Sequence, residues 1–338
     1  MKIRLKDIAE RAGVSRVAVG KVLLDSGSDR IRVSEKTAAL IRKVADELNY
    51  QPNFSAQFLA GKRSHTIGAI IDTFAATVSY RRLAFLETAF AKQGYMLIVG
   101  QAHNSPEKLI EYMRSFASRG VDGFVCLAHN YPEHREQLAD IFSLMPNSVF
   151  IEKPAFDEFN SIVPDRHDGM AQIIKYLCDC GRKRIAVAMS NTCHPIPATR
   201  LKSSRKFLMD YGLFDKDLLF KTKQEPVDLD EFALRVVETL VVEKNADAII
   251  AANDIEAAKI LNVLTSKGVI VPDDVAIVGY DNLDLCEFTS PPLTSVDQND
   301  KLIAQAAADI VLYLINGRNQ DSSTVRKIKP KLIIRRST

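Results

Sequence analysis

The sequence predicts an α/β protein carrying a small all-α head at its N-terminus. Three observations predict it. Residues 5–48 contain apolar sets at helical spacing and no strand-like run. From His65 onward, short and nearly continuous apolar runs alternate with amphipathic stretches, the pattern of βαβ units around parallel sheets. Charge divides the same way: residues 1–63 hold 13 Lys/Arg against 7 Asp/Glu, whereas the other 275 hold 32 against 35. A basic head on a mildly acidic body suits a polyanionic partner at one end.

In the head, Leu5, Ile8, Ala9 and Ala12 share one helical face, and Gly13 interrupts the pattern where a turn needs positive φ. Ser15 is a suitable N-cap for a second helix. There Val19, Val22 and Leu23 point inward, leaving Arg16, Val17, Gly20 and Lys21 outside. An apolar inner face with small or basic residues outside suits a helix that enters the major groove; an ordinary surface hairpin is the alternative. Ser34 caps a third helix whose inner face is Ile41, Val44, Ala45 and Leu48. Pro52 ends it, and Phe54–Ala60 offers about two helical turns, too short to be stable alone.

The body's expected strands are Ile67–Ile71, Met96–Val99, Gly123–Leu127, Ser148–Ile151, Ile185–Met189, Ala248–Ala252 and Val275–Val278. Expected helices between them include Arg82–Lys92, Pro106–Arg119, Gly169–Cys180 and Ile255–Lys267. Polar residues follow several strands: Asp72, His129-Asn130, Glu152, Asn253-Asp254 and Asp281. In open α/β sheets ligands bind beyond the carboxyl ends of strands, and carboxylates there suit hydroxyl groups. Loop solvation and helix capping are the plainer alternative for each residue taken singly.

The helix pair, the third helix and Asn49-Tyr50-Gln51-Pro52-Asn53-Phe54-Ser55-Ala56-Gln57-Phe58-Leu59 together resemble the lactose-repressor/galactose-repressor family of bacterial transcription regulators. The resemblance continues through Thr66–Ile70, Arg119–Phe124, Asn253-Asp254, Val271–Asp281, Pro291–Ser295 and Leu332–Thr338. It implies a helix-turn-helix head at residues 1–50 and a hinge at 51–63. Residues 64–338 would then form an effector-binding and dimerisation domain of two doubly wound α/β subdomains, similar to periplasmic sugar-binding proteins. It also implies operator contacts from Ser15, Arg16, Val17, Gly20 and Lys21, and from Asn53, Ala56 and Leu59 in a hinge that opens the minor groove. Implied effector contacts are Asp72, Ser79, Asn130, Glu152, Arg200, Asn253 and Asp281, with Arg200 as the planar multi-donor group.

Four departures stand out. Arg4 occupies the family's Thr cap, so the first helix lacks a side-chain acceptor there. Ala18-Val19-Gly20-Lys21 replaces Thr-Val-Ser-Arg, residues 25–32 lengthen the link to the third helix, and Ala76-Thr77-Val78-Ser79 stands where many relatives have Asn-Pro-Phe-Phe.

The expected protein is a homodimeric repressor of palindromic operator DNA, controlled by a small effector, most simply a sugar. A sugar receptor without operator function is the alternative, and a sugar-modifying enzyme with a borrowed head is a second. No P-loop, strand-linked GxGxxG, GxSxG elbow or metal-ligand cluster occurs, so neither enzyme activity, cofactor nor metal is expected. Five cysteines without CxxC spacing read as buried free thiols. The absence of an 18-residue apolar run and of a signal-peptide core in the opening residues leads us to expect a cytoplasmic protein without a membrane span. No leucine heptads follow Thr338, which favours a dimer over a tetramer.

Overall fold

The computed structural model describes residues 3–24, 32–50, 63–72, 76–128, 131–154, 159–190, 192, 195–222, 228–317 and 323–338. Internal contacts group residues 1–66 with 115–122, and residues 67–114 with 123–338.

Three helices build the head: α1 (Leu5–Ala12), α2 (Arg16–Leu24) and α3 (Glu35–Glu47). They close around Ile8, Ala9, Val19, Ile41, Val44 and Ala45. Gly13 ends α1 at φ 65°, as the turn requires. Ser34 Oγ caps α3 by accepting from Thr37 N at 3.2 Å. Arg4 supplies no side-chain cap hydrogen bond; α1 is fastened instead by the Asp7 carboxylate, which accepts from Arg4 N at 2.7 Å. This is the carboxylate half of a capping box, and it also places a negative charge in the first turn.

The second unit holds two parallel-stranded sheets and a two-stranded ribbon. The larger runs β11-β5-β4-β3-β1-β2, with β1 (Thr66–Ile71), β2 (Met96–Gln101), β3 (Gly123–Leu127), β4 (Ser148–Ile151), β5 (Asn160–Pro164) and β11 (Val325–Ile328). β1, β3, β4, β5 and β11 pair in parallel. One face packs on α4 (Ala76–Ala91) and α12 (Asp300–Ile315) through residues such as Leu86, Phe90, Ala307 and Val311. On the other face, Phe142 of α6 (Arg135–Ser143) packs edge-on against Phe150 with ring centroids 4.6 Å apart. α5 (Pro106–Ser118) connects β2 to β3 in sequence.

The smaller sheet runs β7-β6-β8-β9, all parallel, with β6 (Ile185–Met189), β7 (Leu219–Lys221), β8 (Ala248–Ala251) and β9 (Ala276–Val278). One side is covered by α9 (Leu229–Val236) and α10 (Asp254–Ser266), the other by α7 (Arg166–Asp179) and α8 (Pro195–Asp210). A short α11 (Leu285–Phe288) precedes β10 (Ser295–Asp297), which pairs antiparallel with β12 (Lys331–Ile333).

Both sheets reverse strand order at an interior point, between β1 and β3 and between β6 and β8. That is the doubly wound arrangement, which forms a ligand crevice beyond the strand ends at the reversal. The chain passes from one lobe to the other after β5, after β10 and after β11, so the two lobes are joined by three crossovers.

All seven expected strands form within two residues of their expected ends, but β5, β7, β10, β11 and β12 carried no comparable signal. β5 begins with Asn160-Ser161, and β11 and β12 each contain only two apolar residues. α12 was missed because AQAAADIVLYLI is apolar on nearly every face, which fits its burial between β-strands and α4 but erases helical periodicity. Of the thiols expected to be buried, Cys126 and Cys286 are, but Cys180 is exposed at the C-cap of α7.

Candidate functional site: an exposed helix and a cleft of paired charges

In the head, Ser15, Arg16 and Val17 are exposed on the first turn of α2, and Lys21 is half-buried one turn on. Ser15 Oγ accepts from Ala18 N at 3.2 Å and so caps the helix. One placement needs correction: Gly20 is buried rather than outward. A glycine has only backbone to present, and here that backbone is covered. Asn53, Ala56, Leu59 and the expected hinge helix lie outside the described residues.

In the body, a cavity of about 180 Å³ opens at the strand ends of both sheets. Five expected effector residues line it: Ser79 on α4, Glu152 after β4, Arg200 on α8, Asn253 after β8 and Asp281 after β9. Asn130 lies outside the described residues. Asp72 is a correction. It is buried beside β1 and absent from the cavity wall, and its carboxylate accepts from the Tyr131 hydroxyl at 2.6 Å and from Asn104 N. Its role is to tie two loops together at the end of β1.

Sequence reasoning missed Arg82, Arg166, Ser190, Glu256 and Gln298, all of which line the cavity. They turn it into a network of charges. Arg166 donates from both terminal nitrogens to the two oxygens of Glu152, at 2.7 and 2.5 Å. Arg82 Nε donates to Asp300 at 2.7 Å, while its Nη1 lies 3.8 Å from Glu152. Asp281 Oδ1 accepts from Arg200 Nη2 at 2.9 Å and from Gln298 Nε2 at 2.5 Å. Arg200 also donates to the Ala252 carbonyl and lies 3.7 Å over the Tyr280 ring.

Asn253 Oδ1 caps α10 at Glu256 N (2.9 Å), and Asn253 Nδ2 donates to Glu256 Oε1 at 3.0 Å. Ser190 Oγ donates to the same oxygen at 2.5 Å. Burial pushes the Glu256 carboxyl above the usual range, against the opposing pull of the Ser190 hydrogen bonds and Arg200. One signal for Glu256 was present in the sequence: Asn253-Asp-Ile-Glu256 has capping-box spacing.

Two of the lining acids have unusual backbones. Glu152 has φ 94° and Asp281 φ 105°, conformations that cost non-glycine residues of order 1–3 kcal/mol and cluster at ligand sites. The surroundings hold the Asp281 turn in place. Arg81 donates to the carbonyls of Asp281 (2.5 Å) and Asn282 (2.8 Å), and buried Asp254 accepts from Leu283 N at 2.7 Å and Ser295 Oγ at 2.5 Å.

Such a cavity, with acceptors and donors from both lobes and aliphatic walls from Leu127, Ile151, Ile196 and Leu283, has the chemistry that a small polar molecule would need. Among the described residues no cluster of metal-binding side chains occurs, and no helix is long and apolar enough to cross a membrane.

Comparison with known proteins agrees with this architecture. Residues 4–53 match the family described as bacterial regulatory proteins, lacI family, and residues 174–338 match a periplasmic binding protein-like domain. The chain is 28% identical over 333 residues to the HTH-type transcriptional repressor PurR of Vibrio campbellii, covering 98% of this chain and 97% of the relative. Its identity to the PurR repressor of Haemophilus influenzae is 29% over 339 residues, with 98% of each chain covered. Among solved structures, the lac repressor dimer bound to operator and the anti-inducer ONPF superposes with a TM-score of 0.84 at 24% identity, covering 100% of this chain and 99% of that one. A complex of the regulator CelR with cellobiose gives 0.70 at 23% identity, with both chains fully covered.

A helix-turn-helix head with a two-lobed, periplasmic-binding-protein-like body defines a DNA-binding transcriptional repressor. The chain belongs to the lactose-repressor/galactose-repressor family.

Proposed function

We propose that the cleft binds a small polyhydroxylated effector, most simply a sugar, and that its occupancy sets the affinity of a cytoplasmic homodimer for a palindromic operator. The observation that carries this reading is the pair Glu152 and Asp281. These carboxylates come from different lobes, both sit at the cavity on strained backbone, and each is held by an arginine. Carboxylates fixed in this way suit the hydroxyls of a ring, with Arg200 and Asn253 supplying donors. A ligand that touches both lobes favours one lobe arrangement over another by its differential affinity for the two, which is what allosteric control requires. The CelR structure, named for its cellobiose complex, shares the fold and is consistent with a carbohydrate ligand.

In the head, Arg16, Val17 and Lys21 would face base edges while Ser15 fixes the helix start. Asn53, Ala56 and Leu59 would form the minor-groove hinge.

The test is operator binding by fluorescence anisotropy on DNA selected from a random pool, with and without a panel of mono- and disaccharides. We expect a palindromic consensus, and a log–log salt slope of about −0.9 per phosphate contacted. We also expect one sugar class to shift DNA affinity, and DNA to shift sugar affinity by the same factor. Sugar binding that leaves operator affinity unchanged would reduce the chain to a receptor; an effector of another class would overturn the carbohydrate assignment.

A further inference from the structure

Three acids among the described residues line the effector cavity, and two of them are neutralised where they stand. Glu152 is held through both oxygens by Arg166, with Arg82 Nη1 3.8 Å away. Asp281 is held by Arg200 at 2.9 Å. Glu256 is different.

Glu256 lies on the first turn of α10, where Ser190 beyond β6 and Asn253 beyond β8 meet it. It is 3% exposed, and among the described residues no cation pairs with it. Neutral donors alone reach its carboxylate. Oε1 accepts from Ser190 Oγ at 2.5 Å and Asn253 Nδ2 at 3.0 Å, and Oε2 accepts only a long bond from Ser190 N at 3.4 Å. Arg200 attracts the group through space, but its terminal nitrogens are bonded to the Ala252 carbonyl and Asp281.

An ionised carboxylate offers about four acceptor positions, so Oε2 can take a further donor. A buried acid without a cation also carries a cost, and burial holds the Glu256 carboxyl above its usual range. A ligand cation in the cavity would remove that cost. A ligand hydroxyl would complete the hydrogen bonding and leave the charge unanswered.

We propose that Glu256 is a specificity residue that selects an effector bearing a protonated amine, so that an amino sugar is preferred over its hydroxyl counterpart. The proposal rests on the sugar reading of the cleft and narrows it. Glu152 and Asp281, already paired with arginines, would take ring hydroxyls, and Glu256 would take the ammonium group.

The experiment is isothermal titration of the full chain at neutral pH with matched probes. These are glucose and galactose, their 2-amino-2-deoxy forms, the N-acetyl derivatives of those amines, and putrescine. Wild type should bind one of the amino sugars at least ~10-fold more tightly than its neutral and N-acetyl counterparts, as a charge-assisted contact requires. Acetylation keeps the nitrogen and removes the charge, so this comparison holds without any variant. E256Q keeps the shape and the acceptor for Ser190, and should bind the amino and neutral sugars alike, with thermal unfolding checking that it is folded. A structural role for Glu256 alone would weaken both sugars in parallel and leave their ratio unchanged, which would overturn the proposal. Neutral sugars that bind as tightly as their amines in wild type would also overturn it and leave the sugar reading intact. Putrescine binding that is lost in E256Q, with no sugar bound, would keep the amine selection and overturn the sugar reading instead.

Discussion

The head and the cleft recognise their targets by opposite means. On α2 the candidate contacts fall within seven consecutive residues, Ser15 to Lys21, and Arg16 and Val17 stand in solvent. In the cleft the contacts come from positions as far apart as Ser79 and Gln298, and most are buried and already bonded to one another. An exposed charge on a helix costs little to keep and contributes little to stability. A buried arginine must be compensated in full, so it belongs to the fold as much as to the ligand. Changes in the head should therefore alter binding with modest loss of stability, whereas changes in the cleft should alter both.

The largest effect expected from this contrast is at Arg200. Its side chain is 5% exposed and links Asp281, the Ala252 carbonyl and the Tyr280 ring. Arg200→Ala leaves Asp281 with Gln298 as its remaining cleft-side donor, and removing one partner of a buried pair costs about 3–5 kcal/mol. Urea denaturation should show the body's transition shifted to lower denaturant, and calorimetry should show effector binding weakened at least ~10-fold. A stability loss below ~1 kcal/mol would mean that the cleft charges are kept for ligand alone, and the contrast with the head would fail.

That same difference governs what the sequence revealed. The head was legible because its chemistry is local: cap, turn and inner face follow one another within a few residues, and the three expected caps or breaks at Gly13, Ser15 and Ser34 all appear. The seven apolar strands were legible for the same reason. The cleft was half legible. Residues placed directly after strands, such as Glu152, Asn253 and Asp281, could be found from the strand pattern. Arg82 and Arg166 could not, because each lies in a helix and meets partners distant in sequence: Arg82 the crossover residues Gln298 and Asp300, Arg166 the Glu152 of the other lobe. Asp72 followed a strand like the others, yet Tyr131 and Asn104 had already engaged it.

A pH dependence carries the contrast into the support beneath the cleft. Burial, with the nearby Asp281 charge, raises the Asp254 carboxyl from its ordinary 3.8 to about 7. The folded state thus holds a proton over a range in which the unfolded chain has lost it. Stability from this group is full below about pH 4 and is lost as pH rises through about 7. Asp254→Asn, neutral throughout, should flatten that decline when urea midpoints are compared across the range. Since Asp254 supports the Asp281 turn through Leu283 and Ser295, effector affinity in the wild type should respond over the same interval. An unchanged pH slope in the variant would assign the decline to other groups. No comparable buried acid occurs among the described residues of the head, where Asp7, Glu10, Glu35, Asp46 and Glu47 are all exposed.

The smallest effect expected is the one that tests the head most directly. Ser34 caps α3 through Thr37 N, and Ser34→Ala removes that acceptor at a cost of about 1 kcal/mol. In a large domain such a loss is minor. In a three-helix unit with six buried apolar residues at its centre it is a sizeable share of the total. Amide exchange should therefore quicken across α3 and, because α3 supplies Ile41, Val44 and Ala45 to the common core, across α1 and α2 as well. Amides of β6 and β8 should keep their protection. Ser34→Asp should restore the cap, since an aspartate accepts the same bond and its charge favours the helix N-terminus. If exchange instead rises equally in the body's strands, the chain opens as one unit, and the division between an adaptable head and a self-paired cleft is wrong. If it rises nowhere, α3 is held by its apolar face alone and the cap contributes nothing that packing does not already provide.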